Sequence, residues 1–384
     1  MRLYIGLMEL RVLQEREEIL MNSCELSTLD SFVLNKLDIS VFSEERNYWL
    51  LRTQGGTYFD EFYFNNYIGI EWDDIVDNTI KSMETMAQIV SQKYPEEKRA
   101  TYVAGQIWKF IHDFKKGDIV LIPNKDSKII ACAEILEDDI YVSDDGISDP
   151  FAQLSIPDDE DSNSIPVLRK RRRVKWIKTI KRELLDPHLQ TFIYAHNTIV
   201  DLNPYAIFID RTLSNFYIKG DSGYFTLRVN KPENIPLDDL TDLFIFNRSL
   251  QDFINKHFPD YLINRGEIIC KIDVQSKGPI QFTGPIKKIT LIGLVLMFLC
   301  GGSIKFTKSD GLEISSEGIT AIIDSAANVY DIVKTHQEKE EYSDLKEDYN
   351  KLYDEYSQCQ KQLELSAPQS NTTINLSDAG ASSK

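Results

Sequence analysis

Residues 47–72 read NYWLLRTQGGTYFDEFYFNNYIGIEW and carry the strongest chemical signal in the chain. Nine of these 26 side chains are aromatic, a density that suits either a half-buried sheet or a wall on which a planar base stacks. The pattern predicts a strand at residues 48–52, a turn at Gly55 and Gly56, and a second strand at residues 67–72. Core packing and ligand stacking both remain open for the aromatic side chains.

Composition and charge narrow the class of protein. A chain of 384 residues has room for two domains and a further element, and 42% hydrophobic with 27% charged residues is typical of globular proteins. The net charge of −17 favours solubility and argues against a surface that is basic throughout, but it is compatible with a local basic site. Five cysteines and five histidines lack metal-ligand spacing, which predicts reduced thiols, no metal and no cofactor. No signal peptide is expected, because Glu and Arg interrupt the apolar residues of the first segment.

Further helices and strands are predicted after the aromatic stretch. Hydrophobic periodicity predicts helices at residues 75–92 and 98–114, followed by strands at residues 119–122 and 129–135. Residues 137–161 hold ten acidic side chains together with Ser, Gly and Pro, and this composition predicts a solvated loop.

The sign of the charge reverses after this acidic loop. Residues 169–182 contain nine basic and no acidic side chains, and Val174 and Trp176 alternate with basic residues as they would in a half-buried strand. In a strongly acidic protein this run predicts a phosphate-contacting surface, because neutralising backbone phosphates is the main source of nucleic-acid affinity. The alternative is a solvated edge strand whose charge is balanced by the acidic loop.

Six pieces of sequence follow one another in this part of the chain. They are Trp49-Leu-Leu-Arg52, Gly55-Gly56-x-Tyr58, Tyr67-Ile-Gly-Ile-x-Trp72, Gly105-Gln106-Ile-Trp108-Lys-Phe110, Lys116-Gly117-Asp118-Ile-Val120 and Arg171-Arg172-Arg173-Val174-Lys175-Trp176. Their order and spacing, over about residues 47–185, resemble the N-terminal module of Mrr-type bacterial restriction proteins, which is similar to EVE/PUA-like β-barrels. The resemblance implies a small barrel with helices, whose aromatic-lined pocket takes a modified or flipped base. The chain departs from that family because no Mrr-type nuclease domain follows the module.

The same resemblance implies candidate nucleic-acid-binding residues by position. Trp49, Trp72 and Trp108 would form or support the pocket, and Arg52, Arg171, Arg172, Arg173 and Lys175 would lie at the phosphates. Trp108 falls in a helical pattern and is expected to support the barrel from outside, whereas core packing is the alternative for Trp49 and Trp72. Asp73 would accept a hydrogen bond from the amine of cytosine or adenine, or would cap a helix starting at Ile75, and the capping role is favoured.

The remainder of the chain resembles no family that its motifs identify. Helices are predicted at residues 205–213 and 237–258, a hairpin from strands at residues 216–219 and 224–229, and a strand at residues 267–274. The predicted fold class is therefore α+β throughout. Its parts are a helical extension (1–45), the EVE/PUA-like module (46–185), a second α+β domain (186–335), a coiled-coil helix (336–365) and a disordered tail (366–384).

Two segments of the second half have distinctive hydrophobic patterns. Residues 289–300 read ITLIGLVLMFLC, and these twelve uncharged residues fall short of the roughly 20 that a spanning helix needs, so they predict a buried helix. Residues of a heptad seam recur in steps of three and four near the C-terminus, namely Tyr342, Leu345, Tyr349, Leu352, Tyr356, Cys359 and Leu363. This seam predicts a helix that either dimerises or folds back on the chain.

The leading hypothesis is a cytoplasmic, non-catalytic protein that recognises nucleic acid, DNA rather than RNA, in a bacterial restriction or anti-phage system. It would form a homo-oligomer through its C-terminal helix and act with a nuclease or another defence protein encoded nearby. The alternative is a membrane-acting effector whose residues 286–306 insert into the inner membrane. A metal-dependent nuclease built on Asp260, Glu267 and Lys271 is disfavoured, because three residues rather than the usual one separate Glu267 from Lys271.

Overall fold

A computed structural model describes residues 39–146, 168–272, 277–299, 306–307, 313–314 and 339–366. The chain forms two compact units, a first unit of Ser43–Leu213 and a second unit of Met1–Phe42 with Ser214–Lys384. The first unit thus extends beyond residue 185, where the sequence predicted the module to end. Residues 1–38 of the predicted helical extension, most of the acidic loop and nearly all of the predicted disordered tail lie outside the described residues.

The described strands range in length from 2 residues to 12 residues. They are β1 (Ser40–Phe42), β2 (Tyr48–Leu51), β3 (Tyr67–Ile70), β4 (Ile119–Pro123), β5 (Ile129–Ile135), β6 (Tyr141–Val142), β7 (Lys170–Lys181), β8 (Ile199–Asp201), β9 (Phe216–Lys219), β10 (Ser222–Val229), β11 (Ile269–Ile272), β12 (Gly278–Pro285), β13 (Phe306–Thr307), β14 (Glu313–Ile314) and β15 (Leu365–Ser366). The longest of them, β7, is the predicted basic strand.

Helices complete the mixed α+β class that the sequence predicted. They are α1 (Phe59–Asn65), α2 (Met83–Lys93), α3 (Ala100–Trp108), α4 (Ala206–Leu213), α5 (Leu237–His257), α6 (Ile286–Leu299) and α7 (Lys339–Leu363). A π-helical turn, Lys109–Asp113, continues α3. Short 3-10 helices occur at Gln54–Gly56, Lys125–Ser127, Arg182–Leu184, Pro187–Tyr194, Asn203–Tyr205 and Pro259–Tyr261.

The first unit is built on a seven-stranded sheet that curls into a half-barrel. Its strand order is β3-β7-β5-β4-β2-β8, with β6 beside β7, and only β2 and β4 among these described neighbours run parallel. Successive side chains of a strand point to opposite faces, and β2 supplies both. Trp49 and Leu51 enter the core cluster that contains residues of α2 and α3, whereas Tyr48 and Leu50 enter a second cluster with α4.

Helix α1 lies inside the aromatic stretch, and the sequence analysis did not predict it. Aromatic residues favour strands by propensity, but Phe59 and Phe62 are one helical turn apart and both are buried in the core. The hydroxyl of Tyr67 donates to the buried carboxylate of Glu61 at 2.7 Å. The helix ends at Asn66, whose φ of 56° is left-handed, a conformation that Asn tolerates. Packing has therefore outweighed local strand propensity.

The second unit has a six-stranded sheet of order β1-β9-β10-β12-β11, with β15 beside β10. The predicted hairpin is confirmed, since β9 and β10 pair in antiparallel fashion around Gly220. Strand β12 was not predicted, although it pairs with all eight residues of β10. The residues of β1 fall within the predicted helical extension, yet they form a strand parallel to β9.

Helix α6 contains the most hydrophobic run of the chain. Ile289, Ile292 and Val295 are buried in the core of the second unit, as predicted for a buried helix. A Cβ atom at Gly293 would lie 2.7 Å from the Phe216 ring, so the helix can approach β9 this closely only with glycine there. In the part of the chain that the structure describes, no helix has both the length and the apolar character needed to cross a membrane.

Helix α7 contains the predicted heptad seam and packs against α5 of the same chain. Leu352, Tyr356, Cys359 and Leu363 are buried, and the Tyr356 ring lies 5.6 Å from that of Phe246 on α5. This contact corresponds to the fold-back alternative of the sequence analysis. Oligomerisation through the same helix stays a prediction.

Candidate nucleic-acid interface

Strand β7 changes neighbours along its length. Residues 170–173 pair with β3, and residues 174–181 pair with β5 on the other side. Beyond Val174, no strand among the described residues pairs with the edge of β7 that faces away from β5. The two parts of the basic run therefore have different surroundings.

Arg172 belongs to the interior of the first unit, with 0% of its surface exposed. Its guanidinium donates to the carbonyl oxygens of Phe110 at 2.8 Å, Ile111 at 2.8 Å, Glu137 at 3.0 Å and Asp138 at 2.9 Å. These bonds fasten the end of the α3 segment and the acidic loop to β7. The prediction that Arg172 contacts phosphate is wrong, because its donors are buried and already bonded to backbone oxygens.

Arg171 is also buried, and the prediction that it contacts phosphate is wrong for the same reason. Its Nε donates to the carbonyl oxygen of Leu168 at 2.9 Å, and a terminal nitrogen donates to that of Asp145. The guanidinium carbon lies 4.4 Å from the centre of the Tyr67 ring, a cation–π distance. Arg171 therefore joins β3 to the chain on either side of the acidic segment.

Lys170 is the third basic residue inside the fold, with 0% of its surface exposed. Its ammonium donates to the carbonyl oxygen of Trp72. Burial lowers the pKa of Lys170 to about 8, although the nearby Asp73 carboxylate acts in the opposite direction. A buried ammonium is therefore maintained at neutral pH next to the end of β3.

The second part of β7 presents its basic side chains to solvent. Arg173, Lys175, Lys178 and Lys181 are all exposed. Arg173 pairs with Glu137 at 3.1 Å, and Lys178 donates to the carbonyl oxygen of Thr212 at 2.6 Å. We call residues 175–181 the basic edge, because they combine exposed lysines with the strand edge described above.

An aromatic patch consists of Tyr63, Phe64 and Trp176, and Trp176 is itself one of the residues of the basic edge. Trp176 is half-buried, and its ring lies 5.2 Å from that of Tyr63, which in turn lies 5.7 Å from the ring of Phe64. Phe64 is 71% exposed, the highest value for an aromatic side chain among the described residues of the first unit. These three residues are not among the predicted site residues, because α1 brings Tyr63 to Trp176 across more than a hundred positions.

Trp72 occupies an unusual backbone conformation at the end of β3. Its φ is 66°, a left-handed value that is uncommon for a bulky residue and worth attention at a candidate site. The residue is half-buried, and its carbonyl oxygen accepts the Lys170 bond. The preceding Glu71 accepts hydrogen bonds from the Tyr58 hydroxyl at 2.8 Å and the Gln54 amide at 3.2 Å. Trp72 therefore lies in a turn that side-chain bonds hold in place.

Asp73 positions the beginning of β7. Its carboxylate accepts the backbone N–H groups of Leu168 at 3.2 Å and Arg169 at 2.7 Å. The predicted helix cap is wrong, because the helix begins at Met83 and the Ser82 hydroxyl caps it. On the other side of the acidic segment, the N–H of Ser143 donates to the carbonyl oxygen of Arg169 at 3.0 Å.

The remaining predicted residues occupy supporting positions. Trp49 is buried, and its indole N–H donates to Asp118 at 2.8 Å, so the core-packing alternative is confirmed and a ligand-facing role is not. Trp108 is half-buried against the same core at the end of α3, which agrees with the predicted supporting role. Arg52 is half-buried after β2. Arg173 and Lys175 are the predicted site residues with exposed side chains.

The acid–acid–lysine set considered for a nuclease is not assembled as a metal site. Glu267 accepts a hydrogen bond from the Lys288 ammonium and from the backbone N–H of Asn264, and the Lys288 bond lowers the pKa of Glu267 to about 2. Lys271 is exposed on β11. No group of three or more potential ligands among His, Cys, Asp and Glu is gathered for a metal within the described ranges.

The chain has a family match among known proteins, and it lies within the first unit. Residues 48–203 match a family described as a domain of unknown function (DUF8426). The match begins at the first residue of β2, includes β8 and passes residue 185, as the first unit does. No curated protein and no solved structure matches the chain.

Proposed function

We propose that the first unit binds nucleic acid, with the basic edge contacting phosphates and the aromatic patch stacking on bases. The observation that supports this most strongly is that half-buried Trp176, whose ring contacts that of Tyr63, lies in the same strand segment as the exposed lysines. Proteins that bind single strands combine the same two features, a positively charged track for the backbone and aromatic rings for the bases.

The lysines alone would have a simpler explanation. Charged side chains on an edge strand prevent other chains from pairing with it, and this protection requires no ligand. Protection does not account for the aromatic patch, because an exposed Phe64 ring adds apolar surface beside the edge that lysines would protect. A ligand that brings both phosphates and flat rings accounts for both features at once.

The ligand that we propose is DNA, including DNA with modified bases. This choice depends on the sequence resemblance to the module of Mrr-type restriction proteins, which implies a bacterial restriction or anti-phage setting. In that setting the protein would recognise DNA and leave its cleavage to a partner protein. Stacking on the aromatic patch would also require the base to be unpaired or flipped out of the duplex.

The test is a titration of the full-length protein with single-stranded and double-stranded DNA, plain and methylated, at two salt concentrations. Lys175→Glu should weaken binding to every sequence and should reduce the slope of log affinity against log salt by about 1, as expected for one lost phosphate contact. The matched control is Lys98→Glu, an exposed lysine outside the basic edge, which should bind like the unaltered protein. Binding that is absent, or insensitive to salt, would overturn the proposal.

A further inference from the structure

Strand β11 forms one end of the sheet of the second unit. It pairs with β12, and no other strand in the described residues lies on its outer edge. All four residues of β11 are exposed. In an antiparallel ladder, alternate residues direct their N–H and C=O groups away from the partner strand, so the outer edge of β11 presents backbone donors and acceptors that no described strand pairs with.

The two elements that border this edge, and the segment that joins them, carry several exposed apolar side chains. Thirteen large hydrophobic side chains are exposed in the described residues, and six of them lie on α5, on β11 or in the segment between them. The six are Leu237, Phe244, Ile245, Leu262, Ile269 and Ile272. Concentrated apolar exposure of this kind marks an interaction surface.

A groove runs between α5 and β11 and makes the edge concave. Its cavity measures about 230 Å³, and its walls include Phe244, Arg248 and Gln251 of α5 with Cys270 of β11 and Phe282 of β12. The lining thus includes both a buried core residue, Phe282, and an exposed residue of the edge strand, Cys270. A strand added to β11 would place alternate side chains in this groove beneath α5.

We propose that the occupant of this edge is the β11 strand of a second copy of the chain, paired in antiparallel fashion about a two-fold axis. The resulting interface would join the two sheets into one and would bring the exposed faces of both α5 helices together. The choice of a second copy rests on the residues of β11, because one two-fold register places Ile272 opposite Ile268 of the other copy and keeps the two Lys271 ammonium groups apart. Helix α7 provides no comparable surface, since the buried part of its heptad seam packs against α5 of its own chain.

Symmetry limits how two β11 strands can pair. A two-fold axis perpendicular to a sheet keeps each residue on its own face. The axis must therefore pass midway between a residue and the same residue of the other copy, so that these two are directly opposite each other. Two such registers pair three residues of each four-residue strand, one centred on Cys270 and one centred on Lys271. Centring on Lys271 would place two ammonium groups directly opposite each other, which is destabilising. The register centred on Cys270 avoids this repulsion and places Ile272 opposite Ile268 of the other copy.

This register places the two Cys270 side chains next to each other. Directly opposed residues of antiparallel strands have Cα atoms about 4.5–5.5 Å apart, within the range of about 4.4–6.8 Å that a disulfide spans. Cys270 is exposed, whereas Cys132 and Cys359 are buried. The native cysteine thus serves as a reporter of the interface.

The first experiment measures the mass of the full-length protein by analytical ultracentrifugation over a range of concentrations. The unaltered protein should be a dimer, and Cys270→Lys should be a monomer, because it would place two ammonium groups opposite each other. Tyr353→Lys, which alters an exposed ring on α7, is the matched control and should remain a dimer. Thermal unfolding of each variant verifies that it is folded. An unaltered protein that is monomeric at every concentration, or a folded Cys270→Lys dimer, would overturn the proposal.

The second experiment tests the register by mild oxidation with a copper catalyst. It uses the full-length protein with Cys24→Ser and Cys300→Ser. The remaining cysteines are then Cys132 and Cys359, which are buried, and Cys270, which is exposed. A disulfide-linked dimer should form, and a further Cys270→Ser change should abolish it. A protein that remains unlinked under these conditions contradicts pairing at Cys270. If the protein is a monomer and binds an added peptide as an extra strand, a second copy of the chain is not the occupant.

Discussion

Residues 170–173 and 174–181 of β7 are both rich in basic side chains but differ in their neighbours. The first group pairs with β3, and Lys170 and Arg171 also pair with β6 on the other side. The side chains of Lys170, Arg171 and Arg172 donate to backbone carbonyl oxygens inside the fold. The second group has β5 on one side, and its lysines are exposed. A run of like charge therefore does not define a surface. Whether a basic side chain is buried or exposed depends on whether a neighbouring strand or loop covers that side chain.

The largest expected difference between the two groups concerns folding. Arg172→Met would leave the carbonyl oxygens of Phe110, Ile111, Glu137 and Asp138 without these donors, and we expect the first unit to lose about 3–5 kcal/mol of unfolding free energy. The neighbouring Arg173→Met, at an exposed position, should cost no more than about 0.5 kcal/mol. Urea denaturation of both variants measures the difference. Similar losses in the two variants would show that the division of β7 is wrong.

A second difference concerns pH. Because the pKa of Lys170 falls from 10.5 to about 8 on folding, the unfolded chain binds the additional proton between these values. The free energy of unfolding should therefore rise with pH between about 8 and 10.5, by on the order of 3 kcal/mol, and the penalty for burying the charge should be constant below about 8.

Lys170→Met should remove this rise, because methionine does not titrate. The measurement is the difference in urea stability between the variant and the unaltered protein at several pH values, which cancels the titration of other groups. Lys175→Met, at an exposed position on the same strand, should show no such pH-dependent difference. A constant Lys170→Met difference across the range would mean that the Lys170 ammonium is not desolvated.

The smallest expected effect concerns ligand binding at the aromatic patch. Phe64→Ala should weaken binding of a single-stranded oligonucleotide by about 1–3 kcal/mol through the loss of one stacked base, with little change in stability because Phe64 is 71% exposed. Fluorescence anisotropy of a labelled oligonucleotide measures the change. Tyr353→Ala, which removes an exposed ring from the second unit, is the control. Unchanged affinity in Phe64→Ala would separate the patch from the basic edge.

Strands and helices could be predicted from sequence where turn-forming residues such as Gly, Pro, Asp and Ser mark their ends. Strand β5 has the predicted bounds, and β9 does as well, because turn residues flank both of them. Helix α1 could not be predicted, since its aromatic residues favour strands and only contacts with β3 and the core select the helix. The partner of α7 was not identified either. A buried stripe of α5, with Leu243, Phe246, Leu250 and Phe253, supplies it.

The division of the basic strand was partly present in the sequence. Val174 and Trp176 were recognised as inward-facing, and extending their alternation by two residues places Arg172 inside and Arg173 with Lys175 outside. Arg171 does not follow this alternation, because the acidic loop and Tyr67 cover it from the other face. The aromatic patch was beyond prediction for a different reason, since Tyr63 and Trp176 meet only after β3 and β7 have paired.

The hydrogen bonds around Asp73 and Arg169 have a practical consequence for protein engineering. Asp73 holds the N–H groups of Leu168 and Arg169, and Ser143 bonds back to Arg169, so the chain is fastened just before residue 147 and just after residue 167. The free energy of closing a loop depends only weakly on its length once the ends are fixed. A dye, an affinity tag or a shorter linker placed between these two anchors is therefore expected to leave the bonds that hold β6 and β7 intact.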